Sequence, residues 1–173
     1  TVSSDWIRAD GKVLPVVRTT YMASDVHRKF LFEPNPAAWD RDFASMKSQG
    51  VNMVRTGLWT AWARVMLDPG AVDESVLSAL DAYVLTAARH GILVCFNFYA
   101  FIPPSYDDTN PYLGPRAREG QRALLTMVAQ RYRGVGWVHW DLINEPSYAP
   151  PQGLWSNLPI GDEHEGRAWR AWV

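Results

Sequence analysis

The chain has 173 residues, a formal net charge of −1, 47% hydrophobic and 20% charged residues, and one cysteine. That balance argues against disorder, against a basic nucleic-acid partner, and against a disulfide framework or multi-cysteine metal site. No apolar run approaches the ~20 residues of a bilayer-spanning helix, so no membrane partner is expected.

In chain order, Asp10-Gly11 between Trp6-Ile7-Arg8 and Val13-Leu14 is a short hairpin signal. Residues 1–13 are therefore expected to hold a small strand pair, and residues 14–173 the main fold. Leu14 to Thr20 is the first main strand predicted. Asn35-Pro36 supplies a cap and a first-turn proline for a helix carrying Trp39, Phe43 and Met46 on one face, which Gly50 ends. Val51 to Arg55 is the second strand. Asp73 to His90 is the next helix, striped by Leu77, Leu80, Val84 and Ala87 and stopped at Gly91. Ile92 to Phe96 is the third strand. Pro115 to Arg133 is a helix with Leu124, Leu125, Val128 and Tyr132, closing at Gly134. Trp137 to Ile143 is the fourth strand, and a last helix opens near Asp162.

Strand alternating with helix predicts an α/β protein with a parallel sheet. The three clear strands begin at Val51, Ile92 and Trp137. At that spacing eight units need on the order of 340 residues, the size of a TIM, or (β/α)₈, barrel with insertions. A doubly wound sheet lacks support, because Gly134-Val135-Gly136 precedes a strand instead of following one. The expectation is about the first four β/α units of a barrel.

Barrel chemistry sits where strands end. Those positions supply Arg55, then Asn97 and Tyr99, then Asn144-Glu145-Pro146. The adjoining loops add Tyr21 and Asp25, Trp59 and Trp62, Tyr148 and Trp155. With 9 Trp, 7 Tyr and 6 Phe, the chain has aromatic faces to set beside hydrogen-bonding groups, as a sugar site requires.

Trp140-Asp141-Leu142-Ile143-Asn144-Glu145-Pro146 resembles the fourth-strand signature of retaining glycoside hydrolases of clan A, nearest to family 5, the cellulase and mannanase family. Gly50-Val51-Asn52-Met53-Val54-Arg55 resembles its second strand. The resemblance implies Glu145 as general acid/base, Asn144 as a residue bonding a sugar hydroxyl, and Arg55 as support for the carboxylates. It also implies a carbohydrate substrate and no cofactor. Many members carry a histidine after the third strand, whereas this chain reads Phe96-Asn97-Phe98-Tyr99, so the resemblance does not name the glycan. The clan's nucleophile is a glutamate ending the seventh strand, beyond the four strands read here.

Asn97, Tyr99, Trp59, Tyr148 and Trp155 complete the expected substrate-binding set, with no metal ligand among them. Other polar residues have plainer readings. Arg55 has an alternative as one half of an ion pair with a barrel neighbour. Cys95 reads as a small core residue, His90 as a helix C-terminal residue, His139 as structural, and Trp39, Trp169 and Trp172 as packing. A non-catalytic carbohydrate-binding or scaffold module is the competing expectation. Four units alone leave open sheet edges and an apolar inner face near Val54, Phe96 and Ile143, so residues 1–173 alone are expected to self-associate and to be inactive. Extracellular and cytoplasmic locations both stay open.

Overall fold

The computed structural model describes residues 6–9, 11–58, 65–68, 71–99 and 115–144. These fall into two compact units, one within Thr1–Gly57, Ser75–Asn97 and Gly134–Asp141, the other within Leu58–Glu74, Phe98–Arg133 and Leu142–Val173. Among the described residues no helix is long and apolar enough to cross a membrane.

The hairpin forms as expected. β1 (Arg8–Ala9) pairs antiparallel with β2 (Lys12–Val13), and Gly11 takes φ 76°, a conformation that Cβ-bearing residues adopt at a cost. The first main strand is shorter than expected: β3 is Arg18–Thr20. Pro15 has no N–H to offer a ladder, and a side chain takes the place of strand pairing there. The Asn52 amide donates to Pro15 O at 2.7 Å and accepts from Val17 N at 2.9 Å.

Helix α1 (Pro36–Ser48) begins at the predicted cap, where Asn35 Oδ1 accepts from Ala38 N at 3.3 Å. Its buried face is Ala38, Trp39 and Phe43; Met46 is half-buried. Gly50 ends the turn at φ 86°. Strand β4 (Met53–Gly57) and strand β7 (Leu93–Tyr99) each run past their expected ends, as Thr56 pairs with Phe96 and Gly57 with Asn97, and Tyr99 O accepts from Asn144 N. Thr20 pairs with Arg55, Arg55 with Cys95, and Gly57 with Asn97. Glycine is needed at 57: a Cβ there would lie 2.5 Å from Asn97 O.

Between β4 and β7 come a short antiparallel pair that the sequence reading did not contain, β5 (Met66–Asp68) and β6 (Ala71–Val72), and helix α2 (Glu74–Arg89). Helix α2 buries the expected stripe, with Val76, Ala79, Tyr83 and Thr86 beside it. Helix α3 (Pro115–Arg131) lies against β5 and buries Ala117, Gly120, Gln121, Leu124 and Val128, while Leu125 is only half-buried. Strand β8 (Val138–Ile143) completes a four-stranded sheet of order β3-β4-β7-β8. Expected to be apolar and buried on both faces, β8 instead alternates, with Trp140 and Leu142 exposed.

The core of the first unit is aromatic. Tyr83 lies between four rings, with centroids at 5.3 Å (Tyr21), 5.0 Å (Phe30), 5.5 Å (Trp39) and 5.2 Å (Phe43). Complete burial of a large apolar side chain such as Phe43 is worth about 1.5–3 kcal/mol. Part of the aromatic excess that suggested a sugar-binding rim is therefore core. Tyr21, read as a loop residue of that rim, is 3% exposed and donates to Asp42 Oδ2 at 2.9 Å.

His90 has a partner across the helices: its Nε2 lies 2.8 Å from Asp40 Oδ1. Hydrogen bonding to His90, aided by the charges of His90 and Arg89, holds the Asp40 carboxyl below its ordinary 3.8 against a smaller opposing effect of burial. A depressed acid contributes stability above its unfolded pKa and loses it as pH falls through the folded value. Asp40→Asn is therefore expected to be less stable than the parent near pH 7, with the gap shrinking below pH 3.8. Urea unfolding of both proteins across that range checks it; a gap that does not change with pH assigns Asp40 no such role.

Candidate functional site

The sheet has two chemically different faces. Val54 and Phe96 are 0% and 1% exposed and share a face with Thr56, whose hydroxyl donates to Tyr21 O beneath the aromatic core. They do not form the apolar inner patch expected of them. Strand alternation puts Arg55, Cys95 and Asn97 on the opposite face, and Asp141 of β8 meets Arg55 there.

Arg55 lies third in a five-residue strand instead of at its end. Its Nε and one terminal nitrogen both donate to Asp141 Oδ2, at 2.7 and 2.6 Å. The two side chains keep 19% and 27% of their surface. A guanidinium leaving water inside a sheet needs a counter-charge, and Asp141 supplies it. The ion-pair reading of Arg55 is thus what the geometry shows, and it leaves open what else the arginine holds. The signal for this pairing in the sequence is a charged residue at even spacing from Glu145 within an apolar strand.

Cys95 sits beside this pair. Burial pushes its thiol up, the Asp141 charge adds to that, and Arg18 and Arg55 oppose it. The thiol stays protonated at neutral pH and serves as a small half-buried residue.

Asn97, expected after the third strand, lies inside β7 and is fully buried. Neither its Oδ1 nor its Nδ2 finds a hydrogen-bond partner among the described residues. Leaving such a group unsatisfied costs about 1–3 kcal/mol.

In the second unit, Tyr99 is the last residue of β7, not a loop residue beyond it. Its ring is fully buried, 5.9 Å from Phe98, and its hydroxyl donates to Gln121 O at 2.7 Å. Burial pushes the phenol pKa up. This corrects the expectation of an open platform: Tyr99 packs the strand end against α3. Asn144 follows β8 at once, half-buried, and its N–H donates to Tyr99 O at 3.0 Å. That bond anchors the backbone immediately before Glu145. Glu145 itself, with Trp59, Trp62, Tyr148 and Trp155, lies outside the described residues. Among the described residues no group of three or more His, Cys, Asp or Glu is arranged to hold a metal ion.

The family model described as Cellulase (glycosyl hydrolase family 5) matches residues 17–171. No curated protein matches the chain. Three solved structures illustrate the likeness in fold. An exo-beta-1,4-mannosidase from Opitutaceae bacterium strain TAV5 has a TM-score of 0.74 at 22% identity, over 87% of this chain and 29% of that one. A GH5_18 variant from Bifidobacterium longum subsp. longum, in complex with Manb1-4GlcNAc, has a TM-score of 0.75 at 15% identity, over 91% and 39%. The endo-1,4-beta-mannanase from Rhizomucor miehei has a TM-score of 0.67 at 17% identity, over 99% and 54%. The common fold is the TIM barrel, of which the sheet β3-β4-β7-β8 supplies four strands. The chain spans between 29% and 54% of the length of these structures.

Proposed function

Since the chain belongs to glycosyl hydrolase family 5, we propose that its protein hydrolyses a β-glycan or β-oligosaccharide with retention, Glu145 being the general acid/base. The observation that carries this reading is the family match across residues 17–171, which spans Arg55, Asn144 and Glu145 together. In the first step Glu145 gives its proton to the glycosidic oxygen as that oxygen leaves the anomeric carbon. A second carboxylate attacks the same carbon and forms a glycosyl ester. In the second step Glu145 takes a proton from water, the water oxygen bonds to the anomeric carbon, and the ester breaks. The family pattern puts the second carboxylate at the end of the seventh strand.

The side chains already described have parts to play in this scheme. A guanidinium fixed by Asp141 favours the anionic forms of nearby carboxylates. The backbone bond from Asn144 to Tyr99 holds the strand end just before Glu145 in the chain, while the Asn144 amide bonds a sugar hydroxyl. Asn97 offers a buried amide, and Trp59, Tyr148 and Trp155 offer flat apolar faces for sugar rings. Tyr99 drops out of the substrate-binding set because its ring is buried.

β-1,4-Mannosides are the first substrates to try, since solved structures similar to this chain include a mannosidase and a mannanase. The complete protein is incubated with β-1,4-manno- and gluco-oligosaccharides, and the first-formed product anomer is read by proton NMR. Initial release of the β-anomer is the expected result. Initial release of the α-anomer overturns retention. Sugar binding without hydrolysis of either series would make the protein a non-catalytic carbohydrate-binding module.

A further inference from the structure

Tyr99, Gln121 and Asn144 belong to one compact unit, and two hydrogen bonds join them. The Tyr99 hydroxyl donates to Gln121 O on α3 at 2.7 Å, and the Tyr99 carbonyl accepts from Asn144 N at 3.0 Å. The ring between these bonds is 0% exposed. The acceptor on α3 is an interior helix carbonyl, which already serves the amide one turn further on and offers Tyr99 its second lone pair. The helix is thus complete without Tyr99, and what the hydroxyl bond fixes is the strand. The register of β7 with β4 ends at Asn97. Two residues later, where that ladder no longer holds the chain, the bond to α3 does.

We propose that Tyr99 is a positioning residue for hydrolysis: it ties the end of β7 to α3 and thereby sets where Asn144 stands when its amide meets the sugar. The inference rests on the family 5 reading of Asn144. Tyr99 itself touches no sugar, because its ring is buried. Hydrogen bonds weaken steeply as their angle opens, so the grip of Asn144 on a hydroxyl depends on the backbone that carries it. Small misplacements by residues remote from the chemistry are costly for the same reason. Burial pushes the Tyr99 phenol up, so it remains a donor throughout the working pH range.

The test is a double-mutant cycle in the complete protein: parent, Tyr99→Phe, Asn144→Ala and the double variant, on one aryl β-glycoside whose good leaving group keeps slow variants measurable. Phenylalanine keeps the ring and removes only the donor. Tyr99→Phe is expected to lower kcat about three- to tenfold, the scale of one neutral hydrogen bond. KM is expected to stay within about twofold, as for a contact that tightens in the transition state. In the Asn144→Ala background the same change is expected to cost less than about twofold, because the group it positions is gone. An equal loss in both backgrounds makes Tyr99 merely structural and overturns the proposal, as do parental kinetics for Tyr99→Phe. If Tyr99→Phe does not fold, 4-aminophenylalanine at position 99, which keeps a weaker donor, is read in the same cycle. A loss that requires Asn144 then supports positioning, and an equal loss or none overturns it. Parental kinetics for Asn144→Ala overturn the underlying reading instead. An impaired Asn144→Ala beside an unimpaired Tyr99→Phe overturns the role of Tyr99 alone.

Discussion

Glu145→Gln in the complete protein is expected to lower kcat on a natural β-glycoside by about 10²–10⁴-fold, the usual contribution of a positioned general acid. Glutamine keeps the shape of glutamate and most of its hydrogen bonding but has no proton to give. Sugar affinity, measured by calorimetry, is expected to stay within about tenfold, because binding draws on stacking and hydroxyl contacts that the substitution leaves alone. The leaving group provides a sharper criterion. A dinitrophenolate departs without protonation, so on a dinitrophenyl β-glycoside the first step should proceed nearly as in the parent. Equal losses on both substrates would mean that Glu145 does something other than donate a proton. No loss on either would remove it from the mechanism.

Tyr83→Ala is expected to cost about 3–5 kcal/mol of folding stability, at the upper end for deletion of a buried aromatic side chain. The reason lies in its position. Tyr83 on α2 is fully buried, and its ring is within 5.5 Å of the centroids of Tyr21, Phe30, Trp39 and Phe43, on α1 and the segment before it. Removing it opens a void bordered by rings too stiff to fill it. Tyr83→Phe keeps the ring and is expected to lose no more than about 1.5 kcal/mol. Urea unfolding of the three proteins measures both differences. With typical domain stabilities of about 5–15 kcal/mol, the alanine loss is large enough to show as partial unfolding on mild heating. A loss under about 1 kcal/mol for the alanine variant would show that the surrounding rings collapse onto the gap.

What the sequence by itself determined about this protein is local. The cap at Asn35, the proline at 36 and the left-handed glycines 50, 91 and 134 each act within a few residues of themselves. They therefore mark where α1 starts and where helical turns stop, whatever the chain packs against. The alternation of these helices with apolar strands was likewise enough for a parallel α/β fold at barrel spacing. The run from Trp140 to Pro146 carries its family resemblance in seven consecutive residues.

Only the tertiary structure decided where strands end and which face each side chain meets. A strand stops where its ladder partner stops, so Asn97 and Tyr99, which look like loop residues in sequence, are strand residues beside Gly57 and Asn144. Conversely, Leu14 to Val17 is apolar yet forms no strand of its own: Leu14 N bonds Ile7 O, the Asn52 side chain bonds Pro15 O and Val17 N, and Val17 O accepts from Asn52 N. Aromatic composition is equally silent about direction: Tyr21 and Tyr99 have the chemistry of a sugar platform and the burial of core residues. Asp141 is the clearest case. Nothing within reach of it along the chain needs a carboxylate; its partner, Arg55, lies 86 residues away. Charge pairing of that kind depends on a contact that only the completed sheet creates.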